Sequence, residues 1–263
     1  VKIALMDSGI GLLAAAAALR RLRPDADLVL SSDPESMPWG PRTPADVTRH
    51  ALACARAAAL HRPDALIVAC NTASVHALET LRAELEPALP VVGTVPAIKP
   101  AAATGGPVAI WATPATTGSP YQRGLIGDFA DRTEVAEVAC PGLADAVERA
   151  DQRAVAAAVA DAAARTPAGI RALVLGCTHY ELVAGRIRAA VAGTAHPDLA
   201  LFGSADAVAA QALRRVAVSA PARVAATGGG TLRVILSGRE SELPAEALRC
   251  AEGRFIAGAP VPR

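Results

Sequence analysis

The sequence predicts an α/β fold of two similar halves with mainly parallel sheets, and three observations carry that expectation. Short aliphatic or β-branched runs alternate with alanine-rich stretches of helical period. A strand ending in a small residue and a cysteine occurs twice, as Ala65-Leu66-Ile67-Val68-Ala69-Cys70-Asn71-Thr72 and as Ala172-Leu173-Val174-Leu175-Gly176-Cys177-Thr178-His179. Prolines and glycines break the alternation at Val95-Pro96-Ala97-Ile98-Lys99-Pro100 and at Thr104-Gly105-Gly106-Pro107, which sets an expected boundary near residue 96.

Taken in order, strands are expected at 2–6, 27–31, 65–69, 90–94, 107–112, 134–138 and 171–175, on short β-branched or aliphatic runs. Helices are expected between nearly all of them. The stretches 12–22, 44–60, 74–85 and 181–191 carry apolar residues at helical spacing with Arg and Glu on the other side. A weaker echo of the repeat relates Lys2-Ile3-Ala4-Leu5-Met6-Asp7-Ser8 to Val108-Ala109-Ile110-Trp111-Ala112-Thr113-Pro114. The segment 215–263 carries little motif information beyond a faint strand and turn at 231–238.

Composition narrows the class. Of 263 residues, 52% are hydrophobic and 19% charged, enough apolar surface for a core and too little charge for a solvated tail. A net charge of +1 and seven aromatic residues give neither the basic stripe nor the stacking platform of a nucleic-acid surface. Mean hydropathy is +0.32, but Arg, Asp or Pro interrupts every long apolar stretch, so no membrane span is expected. The opening Val1-Lys2-Ile3-Ala4-Leu5-Met6 lacks the core and cleavage site of a signal peptide and reads as a buried strand. Five scattered cysteines without a C-x-x-C pair suit a reducing, cytoplasmic compartment.

In parallel α/β sheets, ligands bind beyond the carboxyl ends of the strands, so the repeat delivers Cys70 and Cys177 to the binding edge of their halves. If the halves face each other, the thiols do too. Helix N-termini after each cysteine favour the thiolate. His179, two residues beyond Cys177, and Asp7, at the end of the first strand, are the expected acid–base assistants. One group on one face of a carbon returns a proton only to that face, whereas two groups on opposite faces invert it. The residues therefore point to a two-base racemisation or epimerisation. Cys54, Cys140 and Cys250 lack such a neighbourhood and are expected as small hydrophobes.

Competing chemistries are weaker. Cys177 and His179 are too few for a metal site, and no further Cys/His cluster completes one. Lys2 and Lys99 are poorly placed for a Schiff base, so no cofactor is expected. Gly9-Ile10-Gly11-Leu12-Leu13-Ala14 fits G-x-G-x-x-A with Asp33 about 20 residues on, a dinucleotide fingerprint, but Asp7 would repel a pyrophosphate.

Five motifs in register resemble the glutamate racemase family, within the aspartate/glutamate racemase superfamily. They are Asp7-Ser8-Gly9-Ile10-Gly11, Pro38-Trp39-Gly40, Cys70-Asn71-Thr72-Ala73-Ser74, Ala112-Thr113-Pro114-Ala115-Thr116 and Gly176-Cys177-Thr178-His179-Tyr180. The proline-rich segment 95–100 also looks like a variant of that family. The resemblance implies two pseudo-symmetric α/β lobes with mainly parallel sheets and the active site between them, 1–95 with 207–263 forming one lobe and 96–206 the other. It implies a cytoplasmic enzyme, often a homodimer, that interconverts L- and D-glutamate without a cofactor for peptidoglycan synthesis. Its substrate is a small amino acid, with no nucleic acid and no membrane involved. By that resemblance Cys70 and Cys177 are the acid–base pair, assisted by Asp7 and His179. Ser8, Trp39, Gly40, Asn71, Thr72, Thr113, Thr116 and Thr178 line the substrate with Asp7 and His179.

Departures from the family are Trp39 for its usual tyrosine, Leu12 for its usual second glycine, and Glu181 where proline often follows Tyr180. Trp39, larger than a phenol and an N–H donor only, is expected to act as an aromatic wall or to reshape the substrate mouth. Alternatives are a superfamily racemase or isomerase acting on aspartate, a hydantoin or another small acid, a nicotinamide-dependent dehydrogenase, and a non-catalytic binding protein of the kind reported to inhibit DNA gyrase.

Overall fold

The computed structural model describes residues 1–219 and 229–258, so the expected lobe segment 207–263 falls partly, at 220–228 and 259–263, outside the described residues. The strands are β1 Lys2–Asp7, β2 Asp27–Ser32, β3 Ala65–Val68, β4 Val91–Gly93, β5 Val108–Ala112, β6 Val135–Ala139, β7 Ala172–Leu175, β8 Ala200–Phe202, β9 Leu232–Leu236 and β10 Arg239–Ser241. The first seven fall on the expected runs. β8 and β10, three residues each, are too short to show a period.

The chain divides into two compact units, Val1–Thr94 with the described residues from Ala205 onward, and Val95–Ser204. The sheet of the first unit runs β10-β9-β2-β1-β3-β4, parallel except for the β9–β10 hairpin. Ala4 on β1 sits opposite Val29 on β2 and Leu66 on β3. Central strands flanked on both sides are nearly all apolar, as Ile3-Ala4-Leu5-Met6 and Ala65-Leu66-Ile67-Val68 are. The second unit has a parallel sheet, β6-β5-β7-β8. The orders β2-β1-β3-β4 and β6-β5-β7-β8 are the same, so the cysteine repeat is also a topological one. Cys70 and Cys177 follow the equivalent strands β3 and β7.

Helix starts follow local chemistry. Helix Pro44–Ala59 has Thr43 as its cap, accepting from the Asp46 N–H at 3.3 Å, with Pro44 in the first turn. Helix Pro120–Ala130 repeats the device with Ser119 and Gln122. Two expected helices are corrected. The stretch 74–85 is split at Ala77 (φ −120°) into Asn71–His76 and Leu78–Leu85. The stretch 181–191 is likewise two pieces, Thr178–Glu181 and Ala184–Val191, parted at Val183 (φ −123°). A single residue outside helical φ/ψ changes the helix direction without disturbing the apolar spacing, so periodicity does not reveal it. Among the described residues no helix is long and apolar enough to cross a membrane.

Candidate active site

In the first unit, β1 and β3 are neighbours, with Met6 opposite Val68 and the Ala69 N–H donating to the Met6 carbonyl at 2.8 Å. Asp7 and Cys70 therefore leave the sheet from adjacent strand ends. Asp7 is wholly buried, and its carboxylate accepts from the Ser8 N–H at 2.7 Å and the Ser8 hydroxyl at 3.3 Å. Cys70 is the N-cap residue of helix Asn71–His76, whose first turn carries Asn71 and Thr72. The end of β3 is fixed from below: the Thr94 hydroxyl donates to the Val68 carbonyl at 2.7 Å, and the Ser74 hydroxyl accepts from the Thr94 N–H at 2.9 Å.

Trp39 and Gly40 lie in the loop between β2 and helix Pro44–Ala59. The Trp39 indole is 2% exposed and packs in one cluster with Val47, Cys54 and Cys70. Its N–H donates to the Ser36 hydroxyl at 2.8 Å. Ser36 in turn donates to the Asp33 carboxylate, which also binds the Ser237 hydroxyl at 2.8 Å and His50 Nδ1 at 2.7 Å. Burial alone would raise the Asp33 pKa, but these hydrogen bonds from Ser36, Ser237 and His50 outweigh it and hold the carboxyl below its ordinary value. The indole donor is thus spent inside the loop, and the ring is buried against Val47, Cys54 and Cys70.

In the second unit, β5 and β7 are the matching neighbours, and the Gly176 N–H donates to the Trp111 carbonyl at 2.7 Å. A Cβ on Gly176 would lie 2.8 Å from that carbonyl, so only glycine permits this approach immediately before the cysteine. Thr113, after β5, shares a 3.2 Å hydroxyl contact with Thr116 in a turn closed by the Thr116 N–H on the Thr113 carbonyl. Cys177, partly exposed, precedes the helical turn Thr178–Glu181, in which Thr178 and His179 are buried. Cys177 Sγ lies 3.9 Å from His179 Nδ1, and His179 Nε2 lies 2.8 Å from the Glu148 carboxylate. With Nε2–H donated to Glu148, Nδ1 carries the lone pair and faces the thiol, an arrangement that accepts and returns a proton.

Each unit thus assembles its own share of the expected residues: Asp7, Ser8, Cys70, Asn71 and Thr72 at the ends of β1 and β3, and Thr113, Thr116, Cys177, Thr178 and His179 at the ends of β5 and β7. Glu148 was not legible, because it stands 31 residues before His179 on the short helix Leu143–Glu148 and matches no motif. The remaining cysteines differ. Burial, with help from Asp33 and Asp7, pushes the Cys54 thiol up to about 12, and burial does the same for Cys140. Both are protonated core thiols. Cys250 departs from expectation: it is only partly buried, and its thiol donates to the Glu246 carbonyl.

Lys2 donates to the His61 carbonyl at the amino end of β1, the edge opposite the cysteine. Lys99 sits over the Phe129 ring. Among the described residues, no group of three or more His, Cys, Asp or Glu is arranged to hold a metal ion. The glycine fingerprint forms a buried 3₁₀ turn, Ile10–Leu12, and Asp33 is engaged by Ser36, Ser237 and His50, so the dinucleotide reading gains no support from geometry.

The chain is similar to known proteins over most of its length. Glutamate racemase of Roseiflexus sp. (strain RS-1) is 40% identical over 215 residues, covering 79% of this chain and 76% of the relative. Glutamate racemase of Pseudomonas putida (strain W619) is 35% identical over 234 residues, 85% of this chain and 86% of the relative. Among solved structures, Escherichia coli glutamate racemase in complex with L-glutamate and the activator UDP-MurNAc-Ala has a TM-score of 0.78 at 25% identity, covering 94% and 91% of the two chains. The Thermus thermophilus enzyme in complex with β-chloro-D-alanine has a TM-score of 0.69 at 30% identity, covering 90% and 87%. The model of the Asp/Glu/Hydantoin racemase family matches residues 12–212, a span that contains both cysteine motifs, and the chain belongs to that family.

Proposed function

We propose that this chain is a glutamate racemase, which interconverts L- and D-glutamate by cofactor-independent two-base proton transfer. The observation that carries the reading is the repeated strand end: Cys70 after β3 and Cys177 after β7, each with polar residues directly behind it. One cysteine, as thiolate, takes the proton from one face of the substrate Cα. The carbanion so formed takes a proton from the other cysteine, as thiol, on the opposite face. The protein is left with the two thiols' protonation states exchanged, and the reverse reaction restores them. His179, backed by Glu148, serves Cys177, and Asp7 serves Cys70. Ser8, Gly40, Asn71, Thr72, Thr113, Thr116 and Thr178 bind the substrate, whose carboxylates suit hydroxyls and N–H groups at strand ends, and Trp39 supplies a wall. The lobes in this reading are 1–95 with 207–263 and 96–206, the enzyme is a cytoplasmic homodimer, and its product serves peptidoglycan synthesis.

The test is a chiral assay of the purified protein, without added cofactor, over glutamate, aspartate and hydantoins. Racemisation of glutamate is expected, with Cys70→Ala and Cys177→Ala each lowering kcat by about 10²–10⁴-fold. No turnover of glutamate overturns the assignment, and turnover of aspartate alone transfers it to the sister activity. Normal turnover by both cysteine variants overturns the two-thiol mechanism.

A further inference from the structure

We infer that Glu181 is a positioning residue for Cys177, holding the turn that carries the thiol by a carboxylate latch onto the end of β8; this rests on the reading of Cys177 as an acid–base group. The turn Thr178–Glu181 is only four residues long, and a helix of that length does not hold itself in water. Three consecutive side chains pin it to three different elements. His179 meets Glu148 on helix Leu143–Glu148 at 2.8 Å, and the Tyr180 hydroxyl donates to the Cys140 carbonyl beyond β6 at 3.3 Å. Glu181 Oε1 accepts from both the N–H and the hydroxyl of Ser204, each at 2.8 Å, two residues past β8.

The first two ties belong to the Gly-Cys-Thr-His-Tyr motif. The third occupies the position at which this sequence departs from the proline often found after it. Gly203 is what makes room for the latch. A Cβ there would lie 2.3 Å from Glu181 Oε2, and its three nearest neighbours would all be Glu181 atoms. Gly203 has no positive φ, so no backbone demand explains the glycine. The carboxylate bonds are charge-assisted and therefore stronger than neutral ones. A proline at 181 would have no side-chain acceptor, and Ser204 would then lose its partner.

Because the latch orients a reacting group rather than touching substrate, its loss falls on kcat and spares KM. Displacement of a catalytic group by about 1 Å costs on the order of 10²-fold. The experiment is a double-mutant cycle on the purified full chain, with L- and D-glutamate as substrates. Glu181→Ala is expected to lower kcat about tenfold or more with KM within about twofold, and Glu181→Gln, which keeps an acceptor for Ser204, to restore most of it. Gly203→Ala displaces the carboxylate and is expected to reproduce the Glu181→Ala loss, yet to add nothing in the Glu181→Ala background, where its Cβ has space. A kcat within twofold of the unaltered protein in both single variants, or losses that multiply in the double variant, overturns the latch.

A separate readout is the alkylation rate of Cys177 by iodoacetamide, followed on its own peptide, which needs no turnover. A rate changed by Glu181→Ala and restored by Glu181→Gln supports the latch even where glutamate is not racemised, a result that would sink only the functional reading. A rate unmoved by either substitution overturns it.

Discussion

The two cysteine neighbourhoods share a backbone plan and differ in the polar groups set beside the thiol. Both thiols follow the third strand of their unit, in four-strand parallel arrays of the same order, and both precede a short helix that ends within seven residues. Behind Cys177 stands an imidazole 3.9 Å away, itself held by a carboxylate at 2.8 Å. Behind Cys70 no histidine is supplied by the motif, and the adjacent strand end carries the buried carboxylate of Asp7, tied to Ser8. A duplicated scaffold therefore fixes where a thiol emerges, while the residues just after and beside it set its polar surroundings.

The largest effects expected from breaking this comparison are directional. Glu148→Gln and Asp7→Asn are each expected to lower kcat by about tenfold or more, because each weakens one acid–base arm. With Cα-deuterated substrates, Glu148→Gln should enlarge the isotope effect for one enantiomer and Asp7→Asn for its antipode. Equal enlargement for both enantiomers in either variant would mean that the arms are not separate.

A smaller effect sharpens the description of the Trp39 loop. The Asp33 pKa lies below its ordinary value, so the folded protein binds that proton less readily than the unfolded chain does. Its contribution to stability is complete above the ordinary carboxylate range and is lost as pH falls through the folded value. The gap in urea midpoint between the unaltered protein and Asp33→Asn should therefore be wider at pH 7 than at pH 3.5. A gap that is constant or grows on acidification contradicts the hydrogen-bonded carboxylate. Smallest of all, Trp39→Phe removes one buried N–H donor to Ser36 and should cost about 1 kcal/mol, roughly 2–4 °C in Tm, with little change in kcat. A large loss of activity without loss of stability would show that the indole does more than form a wall.

How much could be read beforehand depended on sequence distance. Cys70, Cys177, Asp7 and His179 were legible because strand, small residue, thiol and polar follower are contiguous, and because the pattern occurs twice. The first seven strands were legible because each is a short run of largely aliphatic or β-branched residues between helical stretches. Glu148 was not, since nothing on an amphipathic turn marks one carboxylate as the partner of a histidine 31 residues away. Ser36, His50 and Ser237 converge on Asp33 from positions up to 204 residues away, and that convergence, which no local pattern marks, makes Asp33 an anchor of the loop. Trp39 was expected as an aromatic wall at the substrate mouth; its ring lies buried in the cluster with Val47, Cys54 and Cys70, and the fate of its N–H depended on Ser36, which no local pattern marks. The breaks at Ala77 and Val183 were invisible because apolar spacing continues across them.

In the proposed mechanism two different thiols handle the proton on the two faces of one carbon, and racemisation of each glutamate enantiomer in heavy water, sampled at low conversion, reads this out. Deuterium is expected at Cα in the newly formed antipode and protium in the recovered starting enantiomer, in both directions. Deuterium appearing in the starting enantiomer as fast as in the product, or a product that keeps the original hydrogen, would contradict it.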